Sequence, residues 1–236
     1  MSSRFEVLDA SETALGVISL RRRWDPAADD DVYEVKLDDE YLMSSLFTVA
    51  EVAVAKMALA EVPGDSWDVA VGGLGLGYTA QTVLDDPRVR SMLVVETLGE
   101  VIDWHQRGLV PVSVSASRDP RCRVVQGDFF AMAASAQLDP EAPGRQFDAL
   151  VVDIDHSPRH VLHPSHAAFY EAAGTRRVAE LLRAGGVFSL WSNDPPDESY
   201  LDVLSGVFGW ARAEVVTFRN PLQGGELTNT VYLAGV

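Results

Sequence analysis

The chain has 236 residues, enough for one large domain or for one domain with a small appendage. Its formal net charge of −16 disfavours nucleic acid as a partner, and its single cysteine, Cys122, excludes an intrachain disulfide and a cysteine-based zinc site. No apolar run reaches the roughly 20 residues that span a bilayer, and the opening MSSRFEVLDASE lacks the basic and apolar regions of a signal peptide, so a cytoplasmic protein that does not enter membranes is expected.

Three short segments rich in β-branched and aromatic residues come first: FEVLD (5–9), LGVISLRRRW (15–24) and VYEVKL (32–37). Turn formers separate them, WDPAADDD most clearly, and they predict a small antiparallel β unit over residues 1–44. Residues 45–236 form the second, larger unit. It opens with an apolar, alanine-rich helix over 46–62, where Thr48 and Glu51 have the spacing of a capping box and Pro63-Gly64 is the stop. Strands and helices then alternate: WDVAVGG (67–73), a helix over 78–86, SMLVVE (91–96), a helix over 99–108, CRVVQ (122–126), and a helix from Phe129. FDALVVD (147–153) is followed by a histidine-rich segment and a helix near 167–183, and GGVFSLW (185–191) is a fifth strand. A helix near 198–208 leads to a final hairpin, RAEVVTF and NTVYLAG, joined by NPLQGGELT. Continuous apolar strands alternating with helices predict an α/β sandwich with a mostly parallel sheet, of the kind that binds nucleosides at the carboxyl ends of its strands.

Glycines 73, 75 and 77 of VAVGGLGLGYTA fall between a predicted strand and a predicted helix, where glycine lets the backbone approach a ligand. The next strand ends in Glu96, about 20 residues on, where an acid can accept hydrogen bonds from ribose hydroxyls. Asp128 follows the third strand and Asp153 the fourth. Each acid taken alone reads more readily as a helix cap or a solvated loop residue; together, on one sheet edge, they favour a nucleoside site. A pyrophosphate cofactor is disfavoured, because the spacing is not G-x-G-x-x-G and no phosphate loop with its lysine is present. The excess of acid leaves two readings open: steering of cationic substrates such as amines, or solubility.

The order GGLGLG, a strand ending in Glu96, VVQGD (124–128), FDALVVDID (147–155) and LLRAGGVFSL (181–190) resembles the class I S-adenosylmethionine-dependent transferases, a Rossmann-like methyltransferase sandwich. Within that group it is most similar to the spermidine synthase (polyamine aminopropyltransferase) family, and LDDEYLMSS (37–45) and AFYE (168–171) extend the resemblance over nearly the whole chain. The resemblance implies that Gly73, Gly75 and Gly77 hold the adenosyl moiety, that Glu96 binds ribose and Asp128 adenine, and that Asp153 helps deprotonate an attacking amine. It also implies decarboxylated S-adenosylmethionine as group donor, a small-molecule amine acceptor, a role in polyamine biosynthesis, and a homodimer. The chain departs from the family at three places, one of them the glutamine expected in the N-terminal unit, which is not evident near Met43. Gly75 stands where the family's glycine loop carries an aspartate that helps hold the aminopropyl amine, and the strand-4 loop reads Asp153-Ile154-Asp155-His156-Ser157-Pro158 in place of D-S-x-D-P.

Four of the five histidines, at 156, 160, 163 and 166, lie in that loop or just after it and invite a metal reading. Pro158 and Pro164 oppose a continuous helix that would align them, and the segment lies where a substrate loop belongs, so no metal is expected. Asp155 and His156 are instead candidates for positioning a cationic or nucleophilic substrate beside Asp153. Three functions compete: aminopropyl transfer, methyl transfer from intact S-adenosylmethionine in the same pocket, and a catalytically silent nucleoside-binding relative.

Overall fold

The computed structural model describes residues 5–13, 16–115, 118–220 and 222–236. Leu15, with which the second expected strand begins, and Pro221 of the expected hairpin turn lie outside the described residues. At the N-terminus β1 (Phe5–Thr13), β2 (Gly16–Asp25), β3 (Asp30–Leu37) and β4 (Glu40–Ser44) form an antiparallel sheet in chain order. The fourth strand goes beyond the sequence expectation, in which EYLMS only leads into the first helix. It returns on β3 because Asp38-Asp39 close a two-residue hairpin between the paired Leu37 and Glu40, with Asp38 at φ 50 in the left-handed region that aspartate tolerates.

The remaining strands are β5 (Trp67–Gly72), β6 (Val89–Glu96), β7 (Cys122–Gln126), β8 (Phe147–Val152), β9 (Leu182–Ser192), β10 (Trp210–Arg219) and β11 (Glu226–Gly235). They form one sheet in the order β10-β11-β9-β8-β5-β6-β7, parallel from β9 to β7 and antiparallel where β11 joins β9 and β10. This is the mostly parallel α/β sandwich with a C-terminal antiparallel hairpin that the alternation predicts. The chain runs outward from β5 through β6 to β7 and then crosses to β8 on the other side, so the sheet reverses direction between β5 and β8. In open α/β sheets ligands bind at that reversal, outside the strand ends.

Period-two alternation along the buried strands divides the core. Val69, Val71, Met92 and Val94 face α1 (Val49–Glu61), α2 (Tyr78–Leu84) and α3 (Gly99–Arg107). Ala70, Leu93, Val95 and Leu150 face α4 (Phe129–Ala134), α5 (Ala172–Glu180) and α6 (Glu198–Ser205). Both faces of the sheet are thereby covered, which is why its strands read as unbroken apolar runs. Helix α1 buries Val54 and Leu59 with three alanines, each large side chain contributing about 2 kcal/mol. At the opposite edge, the start of β5, Asp68 is bound by Ser91 at 2.6 Å and Arg183 at 2.8 Å and pairs with Arg90. The polar cluster there is satisfied within itself, leaving the other edge for a ligand.

Two local expectations are corrected. Thr48 does not cap α1: its backbone is nearly helical (φ −107, ψ −1) and its side chain makes no capping bond. The single helix expected near 167–183 is instead a 3₁₀ helix, Pro164–Tyr170, followed by α5 after an extended Glu171 (ψ 162). The 3₁₀ turn is tied down by long-range side-chain bonds from His166 and Tyr170 to Asp155, which outweigh helix propensity. Among the described residues no helix is long and apolar enough to cross a membrane.

Candidate active site

The ends of β5 and β8 meet at the sheet reversal. The Asp153 amide donates to the Gly72 carbonyl at 2.9 Å, and the Gly73 amide donates to the Val95 carbonyl at 3.0 Å. Gly73 has φ +90, and a Cβ there would overlap the Asp153 carbonyl oxygen, so only glycine allows the two strand ends to close this tightly. From this junction the loop runs through Gly75 to Gly77, the left-handed N-cap residue of α2. Beyond it Thr79, in the first turn of α2, donates its hydroxyl to Asp153 Oδ2 at 2.7 Å. Desolvation raises the Asp153 carboxyl above its ordinary range, against the Thr79 bond, which lowers it.

Two residues brace the loop from behind. Glu96, at the end of β6, accepts the Leu74 amide at 3.0 Å and the Leu98 amide at 2.9 Å. Desolvation holds its carboxyl above the usual range while these amides pull it down. His105 of α3 is buried; its Nδ1 accepts the Val114 amide at 2.9 Å, so its Nε2–H donates to the Gly75 carbonyl at 2.8 Å. Burial lowers this imidazole to about 4, which keeps it neutral.

A cleft of about 640 Å³ opens in front of the loop. Gly73, Gly75, Gly77, Asp153 and His156 line it, together with Glu51 of α1, Met43 of β4, Trp191 of β9, Asn193 just after it, and Phe218 and Asn229 of the hairpin. The antiparallel N-terminal sheet and the C-terminal hairpin thus supply opposite walls of one pocket. His156 reaches across its mouth, Nε2 lying 3.2 Å from Glu40 Oε1.

The other residues singled out in the sequence lie elsewhere. Glu96 lies at the end of β6 beside the glycine loop, half-buried and outside the described lining of the cleft. Asp128 is exposed at the start of α4, where its Oδ1 accepts the Ala131 amide at 3.1 Å in the ordinary manner of an N-cap. Asp155, expected beside Asp153, is fully buried under the 3₁₀ helix. It accepts the Leu162 amide at 2.8 Å, His166 Nδ1 at 2.9 Å and the Tyr170 hydroxyl at 2.8 Å, and it is absent from the described lining of the cleft. The histidines disperse: His160 binds Asp194 at 2.7 Å, His163 caps the 3₁₀ helix, and His166 stacks on Phe130 with ring centroids 3.8 Å apart. Sequence reasoning missed Glu51, Thr79 and His105. The available signal for Glu51 was a lone acid inside an apolar helix; no comparable signal marked the other two.

No family model matches the chain. It is similar to a curated polyamine aminopropyltransferase of Pyrobaculum arsenaticum, with 29% identity over 144 residues, 59% of this chain and 47% of the relative. The chain therefore spans about half the length of that curated relative. Among solved structures, a spermidine synthase in complex with the transition-state analogue AdoDATO superposes with a TM-score of 0.74 at 17% identity, covering 97% of this chain and 73% of the other. Human methyltransferase-like protein 13 in complex with SAH gives a TM-score of 0.55 at 22% identity over 79% of each chain. At these identities the structural likeness establishes the fold, that of the class I methyltransferases and spermidine synthases.

Proposed function

We propose that the chain is a transferase of the polyamine aminopropyltransferase kind, moving an aminopropyl group from decarboxylated S-adenosylmethionine to a small-molecule amine. The observation that carries this reading is the position of Asp153, a carboxylate of raised proton affinity held at the sheet reversal by Thr79 and facing the same cleft as the glycine loop. The likeness to a curated aminopropyltransferase over more than half of the chain supports it.

In this reading Gly73, Gly75 and Gly77 give the donor's adenosyl group a wall without side chains. Glu96 braces that wall, and a carboxylate's four lone-pair positions leave it acceptor capacity for ribose hydroxyls. Asp128 contributes its exposed carboxylate toward adenine. The nitrogen lone pair of a neutral amine forms a bond to the carbon next to the sulfonium. The carbon–sulfur bond breaks with its electrons going to sulfur, and methylthioadenosine leaves. Asp153 takes the proton lost by the new ammonium, a task its raised proton affinity suits. His156 stands at the mouth, linked to Glu40, as a residue that orders the acceptor's entrance. The same reading carries a cytoplasmic homodimer, for which light scattering is the check.

Methyl transfer from intact S-adenosylmethionine is the second reading. It rests on Gly75, which adds no negative charge to a loop that would then face a donor with its own carboxylate. Calorimetric titration with methylthioadenosine and with both forms of the donor separates the two. Preference for the decarboxylated form, with methylthioadenosine produced from it and putrescine, supports aminopropyl transfer. Preference for the intact form overturns it, binding without product in any combination indicates a silent relative, and no binding at millimolar concentration removes the nucleoside assignment.

A further inference from the structure

Most carboxylates that line or adjoin the cleft have a partner. Glu34 holds Arg23 at 2.8 Å, Glu40 holds His156, and Asp153 receives Thr79. Glu51 differs. It projects from the first turn of α1 into the cleft, and among the described residues its carboxylate has neither a hydrogen bond nor an ion pair. Thr79 places it beside Asp153: the hydroxyl bound to Asp153 also lies 3.2 Å from the Glu51 backbone carbonyl. The described lining offers no free cation to compensate, since Arg23 is committed to Asp25 at 2.5 Å as well as to Glu34. The surrounding wall of Met43, Phe47 and Trp191 is apolar.

We propose that Glu51 is a positioning residue that binds a primary alkylammonium group of a substrate next to the reacting centre, leaving Asp153 to handle the transferred proton. Two neighbouring acids in an apolar cleft disfavour each other's ionisation, as desolvation does, and a bound ammonium offsets one negative charge and so favours the ionised form of one of them. Desolvation, with the nearby Asp153 charge adding to it, raises the Glu51 carboxyl well above its ordinary value. The Trp191 indole N–H, buried and without a hydrogen-bond partner among the described residues, is a donor on the same wall and cannot replace Glu51 as a cation holder. The ammonium has two sources, the donor's aminopropyl chain or a second amino group on the acceptor. The chemistry that Glu51 would recognise is the same for both.

This inference rests on the nucleoside reading above, and the test keeps the two apart. Wild type and Glu51→Gln are titrated calorimetrically with methylthioadenosine, which has no ammonium, with decarboxylated S-adenosylmethionine, and, in saturating methylthioadenosine, with putrescine and butylamine. Each titration is run in two buffers of different ionisation enthalpy to count protons. Methylthioadenosine is expected to bind both proteins equally. The ammonium ligand is expected to release protons from wild type, to release fewer from Glu51→Gln, and to bind the variant at least tenfold more weakly. A loss for the decarboxylated donor assigns the contact to its chain. A loss for putrescine beyond that for butylamine assigns it to the acceptor. Unchanged affinity and proton release for every cationic ligand, with methylthioadenosine bound, overturn the role of Glu51 alone. Failure of methylthioadenosine to bind wild type overturns the nucleoside reading and this inference with it. Should Glu51→Gln not fold, the wild-type pH dependence decides: the cationic ligand's affinity must rise with pH through the carboxyl's titration while that of methylthioadenosine stays flat, and parallel curves reject the proposal.

Discussion

His105 Nε2 lies 2.8 Å from the Gly75 carbonyl oxygen, and because Nδ1 already accepts the Val114 amide, the neutral ring can donate only toward the glycine loop. Helix α3 thus sets the height of the loop floor through one imidazole. Protonation puts a hydrogen on Nδ1 and breaks the Val114 bond. The folded-state pKa is about 4 against 6.5 for a free imidazole, so the unfolded chain binds more protons between those values. The stability this residue contributes is complete above pH 6.5 and is lost as pH falls toward 4, about 3 kcal/mol across the window. Urea unfolding at pH 7 and pH 5 of wild type and His105→Gln is expected to show the gap between the two narrowing at the lower pH. A pH-independent gap would refute the assignment.

Gly75 and Met43 fit each other. Gly75 lies at φ +50, a left-handed conformation that strains a side chain though aspartate tolerates it better than most, and a Cβ there would also approach Met43 Sδ to 2.9 Å. Gly75→Asp is therefore expected to cost about 1–3 kcal/mol as an overpacking change, since the thioether must move. Met43→Ala in the same chain is expected to recover the part of that loss that comes from the contact, leaving the backbone strain. Thermal unfolding of the two single variants and the double variant forms the cycle, and additive losses would show that Met43 is not the obstacle.

What was legible in the sequence follows from the range of the forces involved. The glycine loop, the strand-end acids and the succession of strands and helices along the chain come from local signals: apolar runs of strand length, turn residues, and glycine where strand meets helix. The antiparallel hairpin RAEVVTF/NTVYLAG was readable on the same grounds. The capping-box reading of Thr48 and Glu51 was local too, and it misled, because the spacing that suits a cap also points Glu51 into a cleft whose other walls come from β8 and the C-terminal hairpin. The brace at His105 depends on a contact 30 residues away, and the 3₁₀ turn at 164–170 on Asp155, which no periodicity in its own segment records.

Asp155 is expected to act on stability and not on turnover. Removing its carboxylate strands the buried Tyr170 hydroxyl and releases the partly exposed His166 ring and Leu162 amide. Asp155→Ala should cost about 3 kcal/mol, and Asp155→Asn less, since an amide oxygen still accepts. Chemical unfolding measures the loss. Turnover per folded molecule, assayed below the melting transition, should stay within a few-fold of wild type. A hundredfold fall with stability unchanged would return Asp155 to the reaction centre.

Asp153 and Thr79 together make the sharpest kinetic test. Asp153→Asn removes the proton acceptor while keeping the shape, and turnover is expected to fall about 10²- to 10⁴-fold with little change in methylthioadenosine affinity. Thr79→Val acts on the same carboxylate from outside. The Thr79 hydroxyl bond lowers the Asp153 pKa against desolvation, so its loss moves that pKa further up. A base must be ionised to act. The acidic limb of the kcat profile should therefore shift to higher pH in Thr79→Val, while the plateau at alkaline pH recovers most of the wild-type rate. A uniformly lowered profile with an unmoved limb would mean that Thr79 holds the fold and leaves the base untuned.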